Sequence, residues 1–301
     1  MRYLEVLPGP HRAVVEATGS WYWIAELFAQ HGVELKLAHA RQLKAISQAK
    51  VKTDAIDSLM LAQLLRVDLI PEAHMLEPEL RGYRDLLRAR LRLVGRRTAA
   101  KCVITSLLER YNQPAPEQLP QLACFEARLH EDQIAVLTQQ IKEIERILNP
   151  ALLPERQVQR LLWIPGIGRQ AAFTIYLEVG DVQRFRSDRQ FCSYCRLVPA
   201  AKNSGGSRRQ GRSKEGNRYL KSAFRNVAVR AVQYEPTVKA WYQKKLRAKG
   251  KPIAQALVAK EIARIVYRVL KEDVDFNGTF KGVPVQNVKS ATWPRRASPG
   301  V

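Results

Sequence analysis

The residues best suited to chemistry lie in one stretch, Lys202-Asn203-Ser204-Gly205-Gly206-Ser207-Arg208-Arg209-Gln210-Gly211-Arg212-Ser213-Lys214-Glu215-Gly216-Asn217-Arg218-Tyr219-Leu220-Lys221. It opens as a Gly/Ser loop, whose backbone can approach a ligand closely. The basic run that follows supplies guanidinium forks and ammonium groups, and a helix start near 215–217 adds backbone N–H donors. That combination suits phosphate. Ser204, set between Asn203 and two glycines, can bring its hydroxyl to such a phosphate without steric hindrance. The competing reading of any basic Gly/Ser loop is a solvated linker.

A second group is acidic. Glu16 closes a short apolar strand, and Asp54 and Asp57 stand at i and i+3 of a helix start, so their carboxylates share a face. A strand-end carboxylate facing a helical pair is an arrangement that holds hard divalent cations for phosphoryl transfer. Each residue also has a plain structural reading. Asp54 is favoured near a helix N-terminus by the helix dipole, Asp57 can pair with Lys52 or Arg66, and Glu16 can face solvent. Cys192-Ser193-Tyr194-Cys195 lacks a second ligand pair, so zinc is poorly supported, and buried structural thiols in a reducing compartment are expected.

The elements that must position these groups fall into an α/β part followed by an α part. Residues 11–19 read as a strand, 21–30 as a helix capped by Ser20 and stopped by Gly32, and 33–37 as a second strand, a parallel strand–helix–strand unit. Two strands alone do not make a stable sheet, so further partners are expected. Thr53 caps a helix whose apolar positions Ile56, Leu59, Met60 and Leu64 share a face. Residues 77–111 and the segment from the Pro-rich break at 114–120 to Leu148 read as two arms of an antiparallel coiled coil, bounded by Asn149-Pro150 and Pro154. Residues 164–172, Ile-Pro-Gly-Ile-Gly-Arg-Gln-Ala-Ala, read as the hairpin of a helix-hairpin-helix element, with Gly166, Gly168 and Arg169 placed to meet a phosphate. Helices are expected near 215–233, 236–247 and 252–271, and the tail from Phe276 reads as disordered. The resulting division is 1–70, 71–150, 151–272 and 273–301.

A formal net charge of +22 over 301 residues draws polyanions to the whole chain, and nucleic acid is the expected partner. No apolar run reaches membrane-spanning length and no signal core is visible, so a cytoplasmic nucleic-acid protein without a membrane partner is expected.

The chain resembles the DEDD transposases of bacterial insertion sequences, the "one-ten" family that includes the Piv-type DNA invertases. The resemblance is carried by Val14-Val15-Glu16-Ala17-Thr18-Gly19, by Lys52-Thr53-Asp54-Ala55-Ile56-Asp57, and by an ordered string in the second half. That string runs through Ile164-Pro165-Gly166-Ile167-Gly168, Glu178-Val179-Gly180-Asp181, Arg184-Phe185, Leu197-Val198-Pro199, Ser204-Gly205-Gly206 and Lys214-Glu215-Gly216-Asn217-Arg218-Tyr219-Leu220. The blocks cover residues from about 13 to 270.

The resemblance implies a partial RNase H-like, resolvase-like domain, a coiled-coil insertion and a mainly α-helical C-terminal transposase domain. It implies a Mg2+ or Mn2+ site at Glu16, Asp54 and Asp57, and Ser204 as a nucleophile that forms a phosphoserine link to DNA; Ser193, Ser207 and Ser213 are its rivals. Lys202, Arg208, Arg209, Arg212, Lys214, Asn217 and Arg218, with the 166–169 turn, would hold nucleic acid. A non-coding bridge RNA and a homo-oligomer, dimer or tetramer, are the further partners implied. Two departures stand out: no Asp before Glu16 matches the family's first acidic residue, and Arg196 stands where the family usually has Gly before Leu-Val-Pro. The first makes an N-terminally truncated chain the expectation. A metal-dependent junction nuclease and an inactive nucleic-acid-binding relic are the alternatives.

Overall fold

Residues 12–16 are β-branched and apolar enough to form a strand, and they do so as β1 (Arg12–Glu16), followed by α1 (Trp21–Gln30) and β2 (Glu34–Ala38). The computed structural model describes residues 6, 8–19, 21–46, 53–204, 207–211 and 216–286, and of 44–46, 200–204 and 207–211 only the backbone. Described residues form two compact units, 1–77 and 78–301, where the sequence suggested three bodies and a tail.

In the first unit β1 and β2 pair in parallel, Arg12 beside Glu34 and Glu16 beside Ala38. The chain beyond α2 (Ala40–Ile46) and α3 (Asp54–Arg66) returns to cover the end of β2. His39 N–H donates to Pro71 O and Ala73 N–H to Leu37 O, adding an isolated antiparallel bridge at Glu72. Lys36 secures that return with ion pairs to Asp68 (2.7 Å) and Glu72 (2.6 Å). Hydrogen bonds from Lys36 and Arg12 hold the Asp68 carboxyl below its ordinary range.

Thr53 caps α3 as expected, its Oγ1 accepting from Ile56 N–H at 3.3 Å. The buried face of that helix differs from the one anticipated. Leu61, Leu64 and Leu65 pack with Val14, Ala38, Leu43 and Ile70, whereas Ile56 and Leu59 are 41% and 60% exposed. The sheet is too small to cover more than the C-terminal half of the helix.

In the second unit α4 (Pro78–Tyr111) and α5 (Gln121–Leu152) form the long antiparallel arm. Ala100, Leu107, Ala123, Ala127, Ile141 and Leu148 are buried along them. The arm is rooted in the main core, since Leu87, Leu148 and Leu152 belong to the large cluster built on the helices that follow. That rooting explains why α5 continues through Pro150, where the sequence marked a boundary. Proline removes one helical hydrogen bond, and the burial of Leu148 and Leu152 on either side offsets it.

The core is completed by α6 (Arg156–Leu162), α7 (Arg169–Val179), α8 (Asp188–Tyr194), α9 (Arg218–Tyr234), α10 (Pro236–Lys249) and α11 (Lys251–Lys271). Between α8 and α9 runs an antiparallel hairpin, β3 (Ala200–Ser204) with β4 (Ser207–Gly211). The segment read as a Gly/Ser loop is thus mainly strand, its register placing Ser204 opposite Ser207, with Gly205-Gly206 between them in the chain.

The expected disordered tail is also corrected over 276–286. Strands β5 (Thr279–Phe280) and β6 (Val283–Pro284) pair, Phe280 is 1% exposed against Trp241, and Arg160 holds Asp273 and Asp275. A buried phenylalanine supplies the apolar burial that composition alone did not reveal.

Cys192 and Cys195 are free and fully buried in this core. Burial pushes the Cys192 thiol up to about 11 and the Cys195 thiol well above its ordinary value. The thiolate is the reactive form. In the native chain at mildly alkaline pH, iodoacetamide is therefore expected to label exposed Cys102 and to reach Cys192 and Cys195 only after unfolding, as peptide mass spectrometry would show. Prompt labelling of Cys195 in the folded chain would contradict that packing.

Candidate nucleic-acid interface

The turn joining α6 to α7 is dictated by its apolar residues. Ile164 and Ile167 are buried, and Ile167 N–H donates to Ile164 O at 3.1 Å. Gly166 lies between them with φ +83°, and a Cβ there would sit 2.5 Å from Val227 O and 2.8 Å from Ala231 N. Glycine is thus required because the turn rests directly on the α9 backbone. Gly168 then starts α7 with no side-chain cap, so the first N–H groups of the helix find no partner within it.

These elements wall a cleft of about 500 Å³, lined among others by Arg90, Glu145, Arg169, Gln170, Tyr219 and Arg230. Arg90 is neutralised by Glu145, with Nε to Oε1 at 2.7 Å. Arg169 and Arg230 are exposed and make no ion pair among the described residues, so the cleft keeps uncompensated positive charge at a helix N-terminus. Asn149 Oδ1 and Gln170 Oε1, also on its wall, are shielded from solvent and accept no hydrogen bond from the described residues. The cleft therefore offers cations for phosphate and free acceptors for N–H or O–H donors.

Beside the cleft the hairpin has its root. Tyr219, on the cleft wall, is two residues beyond Asn217, the cap of α9, whose Oδ1 accepts from Tyr219 and Leu220 N–H. Asn217 Nδ2 donates to Glu178 Oε2 at 2.6 Å, so both ends of its amide are engaged within the fold. Glu178 receives Arg88 as well, Nε to Oε1 at 2.6 Å and Nη2 to Oε2 at 2.8 Å. Arg88 lies 4.8 Å over the Tyr219 ring, and Arg218 donates to the Tyr219 hydroxyl. Arg88, Arg90 and Arg230 were not among the sequence candidates, and Tyr219 stood in the quoted stretch without a role of its own. The signal for the Arg88 contact was Glu178 itself, a carboxylate inside the apolar run 173–179, which must find a cation when buried.

Of the nucleic-acid-binding candidates, Gly166, Gly168 and Arg169 line the cleft, and Arg218 lies at the hairpin root. Ser204, Lys202, Arg208 and Arg209 are strand residues whose side chains are not described. Arg212 and Lys214, and Ser213, lie outside the described residues.

The carboxylates are all in the first unit. Glu16 ends β1, and Asp54 and Asp57 open α3, whose later turns pack on β1. Among the described residues no three His, Cys, Asp or Glu side chains come together in a way that could hold a metal ion.

Comparison with known proteins adds a chain-wide likeness. A family model described as "Transposase IS116/IS110/IS902 family" matches residues 158–243, and a second transposase model, named for the DEDD transposases of IS110, matches 2–113. The Pseudomonas aeruginosa protein named "Probable family 20 transposase" is 26% identical over 289 residues, covering 88% of this chain and 85% of that one. The Yersinia enterocolitica transposase for insertion sequence element IS1328 is 25% identical over 300 residues, covering 92% and 88%. The Coxiella burnetii transposase for insertion sequence element IS1111A is 26% identical over 283 residues, covering 85% and 77%. Among the described residues no helix is long and apolar enough to cross a membrane.

Proposed function

Since the chain belongs to the IS116/IS110/IS902 transposase family, we propose that it cuts and rejoins the DNA strands of an insertion sequence through a serine nucleophile, Ser204. The observation that carries this reading is the root of the Ser204 hairpin at the wall of a cleft with uncompensated arginines. A DNA strand held there by its phosphates would pass the base of the hairpin. Arg169, Arg230 and the uncapped start of α7 would take phosphate oxygens, and Lys202, Arg208, Arg209, Arg212, Lys214 and Arg218 would surround the phosphate under attack.

In the proposed step the Ser204 Oγ–phosphorus bond forms as one phosphorus–sugar oxygen bond breaks. The serine proton is given up and the departing sugar oxygen gains one. The phosphodiester link to serine keeps the energy of the broken bond, so rejoining needs no nucleotide hydrolysis. Arginines near the phosphate would stabilise charge on its non-bridging oxygens.

A divalent cation, Mg2+ or Mn2+, is the cofactor that the DEDD family implies, with Glu16, Asp54 and Asp57 as its proposed ligands. These residues are not gathered around one point, so no step is derived through the ion. A non-coding guide RNA and a second copy of the chain are the proposed further partners. The net charge of +22 supports the first. Exposed Leu122, Phe125, Leu129 and Val136, at heptad spacing on the outer face of α5, support the second.

The test is a covalent adduct. Incubated with DNA carrying the ends of its insertion sequence, the chain is expected to yield a protein–DNA species that survives denaturation, and Ser204→Ala to yield none while still binding DNA. Binding should weaken with salt in both, with a log–log slope of about −0.9 per phosphate neutralised. DNA cut without an adduct would mean a hydrolytic nuclease. An adduct that persists in Ser204→Ala would move the nucleophile to another serine.

A further inference from the structure

We infer that Glu178, Arg88 and Asn217 form a clamp on the neck of the Ser204 hairpin and make the coiled-coil arm part of it. The hairpin leaves the core after α8 and returns to it at Asn217. The last carbonyl of α8, Tyr194 O, has no partner within its helix and accepts Asn217 N–H at 2.7 Å. The outgoing and returning chains are thereby joined where the hairpin leaves the core.

The approach is close enough to restrict the residue that precedes it. Gly216 has φ +100°, and a Cβ there would lie 2.3 Å from Tyr194 O. Only glycine lets the returning chain pass.

Asn217 is fixed from a third direction by Glu178, whose side chain is 2% exposed, and Glu178 is fixed in turn by the fork of Arg88 on α4. No rotation of the arm helix at Arg88 can occur without breaking two charge-assisted bonds to the carboxylate that holds the neck. Glu178 is thus a positioning residue. It touches no substrate and acts by fixing where the Ser204 strand begins and ends. The catalytic consequence rests on the role proposed for Ser204, whereas the conformational consequence stands without it.

Asn217→Asp separates clamp from cap. The new carboxylate still accepts from Tyr219 and Leu220 N–H, but it replaces the donor facing Glu178 by a second acceptor. Losing a hydrogen bond to a charged group raises the opened population about tenfold, and native-state proteolysis reads that population. Tryptic cleavage after Arg208 and Arg209, followed by mass spectrometry on the full chain, is expected to quicken about tenfold in Asn217→Asp. Cleavage after Arg110, at the far end of α4, should stay unchanged and serves as the internal reference for global unfolding.

Adding Glu178→Gln to that variant restores the bond to residue 217 with its polarity reversed, the amide donating to the aspartate, but gives up the bond that Oε2 accepted from Arg88 Nη2, so the recovery is expected to be partial. It should return both cleavage and strand joining toward the parent rates. Cleavage of the single variant at the parent rate, or a double variant cleaved as fast as the single, would overturn the clamp. A parent chain that forms no DNA adduct would overturn the serine mechanism and leave the proteolysis result to decide the clamp by itself.

Discussion

Replacing Glu178 by alanine is expected to lower the unfolding midpoint of the chain by about 10 °C. The substitution strands a guanidinium and an amide that both spend their donors on this carboxylate. Burial by itself would lower the Arg88 pKa, but the bond and charge of Glu178 more than offset it, and the pKa is raised. That support leaves with Glu178, yet a guanidinium is not deprotonated in proteins, so Arg88 keeps its charge when the partner goes.

Removing one member of a buried pair costs about 3–5 kcal/mol, and the lower end applies because 27% of the Arg88 side chain remains in solvent. For a unit of this size each kcal/mol is worth about 2–4 °C. Scanning calorimetry checks the figure. Arg88→Met combined with Glu178→Leu should lose less than Glu178→Ala, since neither charge is then left unpaired. A Glu178→Ala chain that melts with the parent would show that the pair holds nothing.

Gly166→Ala is expected to cost about 3 kcal/mol or more and to weaken DNA binding with it. An alanine at φ +83° pays about 1–2 kcal/mol for its left-handed backbone. Its methyl would also press on Val227 O and on the nitrogen and Cβ of Ala231, which overpacks the contact by about another 1–3 kcal/mol. The α9 backbone cannot retreat, because Leu220, Phe224, Val227 and Ala231 anchor it in the core. The turn must withdraw instead, carrying the first N–H groups of α7 away from the cleft.

Gly168→Ala is the natural comparison. Its φ is −101° and its Cβ would lie 3.6 Å from Arg230 Nη1, so its cost should be much smaller. Urea unfolding and DNA affinity, measured on both variants, check the contrast. Equal effects would mean that the close approach at Gly166 is not what demands glycine.

The local elements were legible wherever a local rule decides them. Thr53 announces its helix by capping it, the arm shows in two long runs separated by a Pro-rich break, and the alternation around α1 yields a parallel pair. The rest depended on tertiary context. Pro150 marks a boundary only if nothing downstream holds the helix, and Leu152 does. Phe280 has no periodicity to reveal that it fills a gap beside Trp241.

The candidate site divides in the same way. Gly166, Gly168 and Arg169 could be named from the turn they make, but Arg90 and Arg230 reach the cleft from helices distant in sequence. Arg196 is a case in which the sequence showed the anomaly and the structure its reason. It sits just past the end of α8 at φ +57°, and Leu197 N–H closes back on Cys192 O, the kind of helix terminus at which glycine is favoured.

The neck between Tyr194 and Asn217 also bears on how this region can change over time. Because outgoing and returning strands are fastened to each other where they leave the core, the geometry beneath them does not depend on how many residues lie above. Lengthening an excursion closed in this way costs only about 0.6 kcal/mol for each doubling. Insertions, deletions and exchanged tips are thus expected to be tolerated in the hairpin while α8 and α9 stay fixed, so its length can be remodelled as a module by evolution or by grafting.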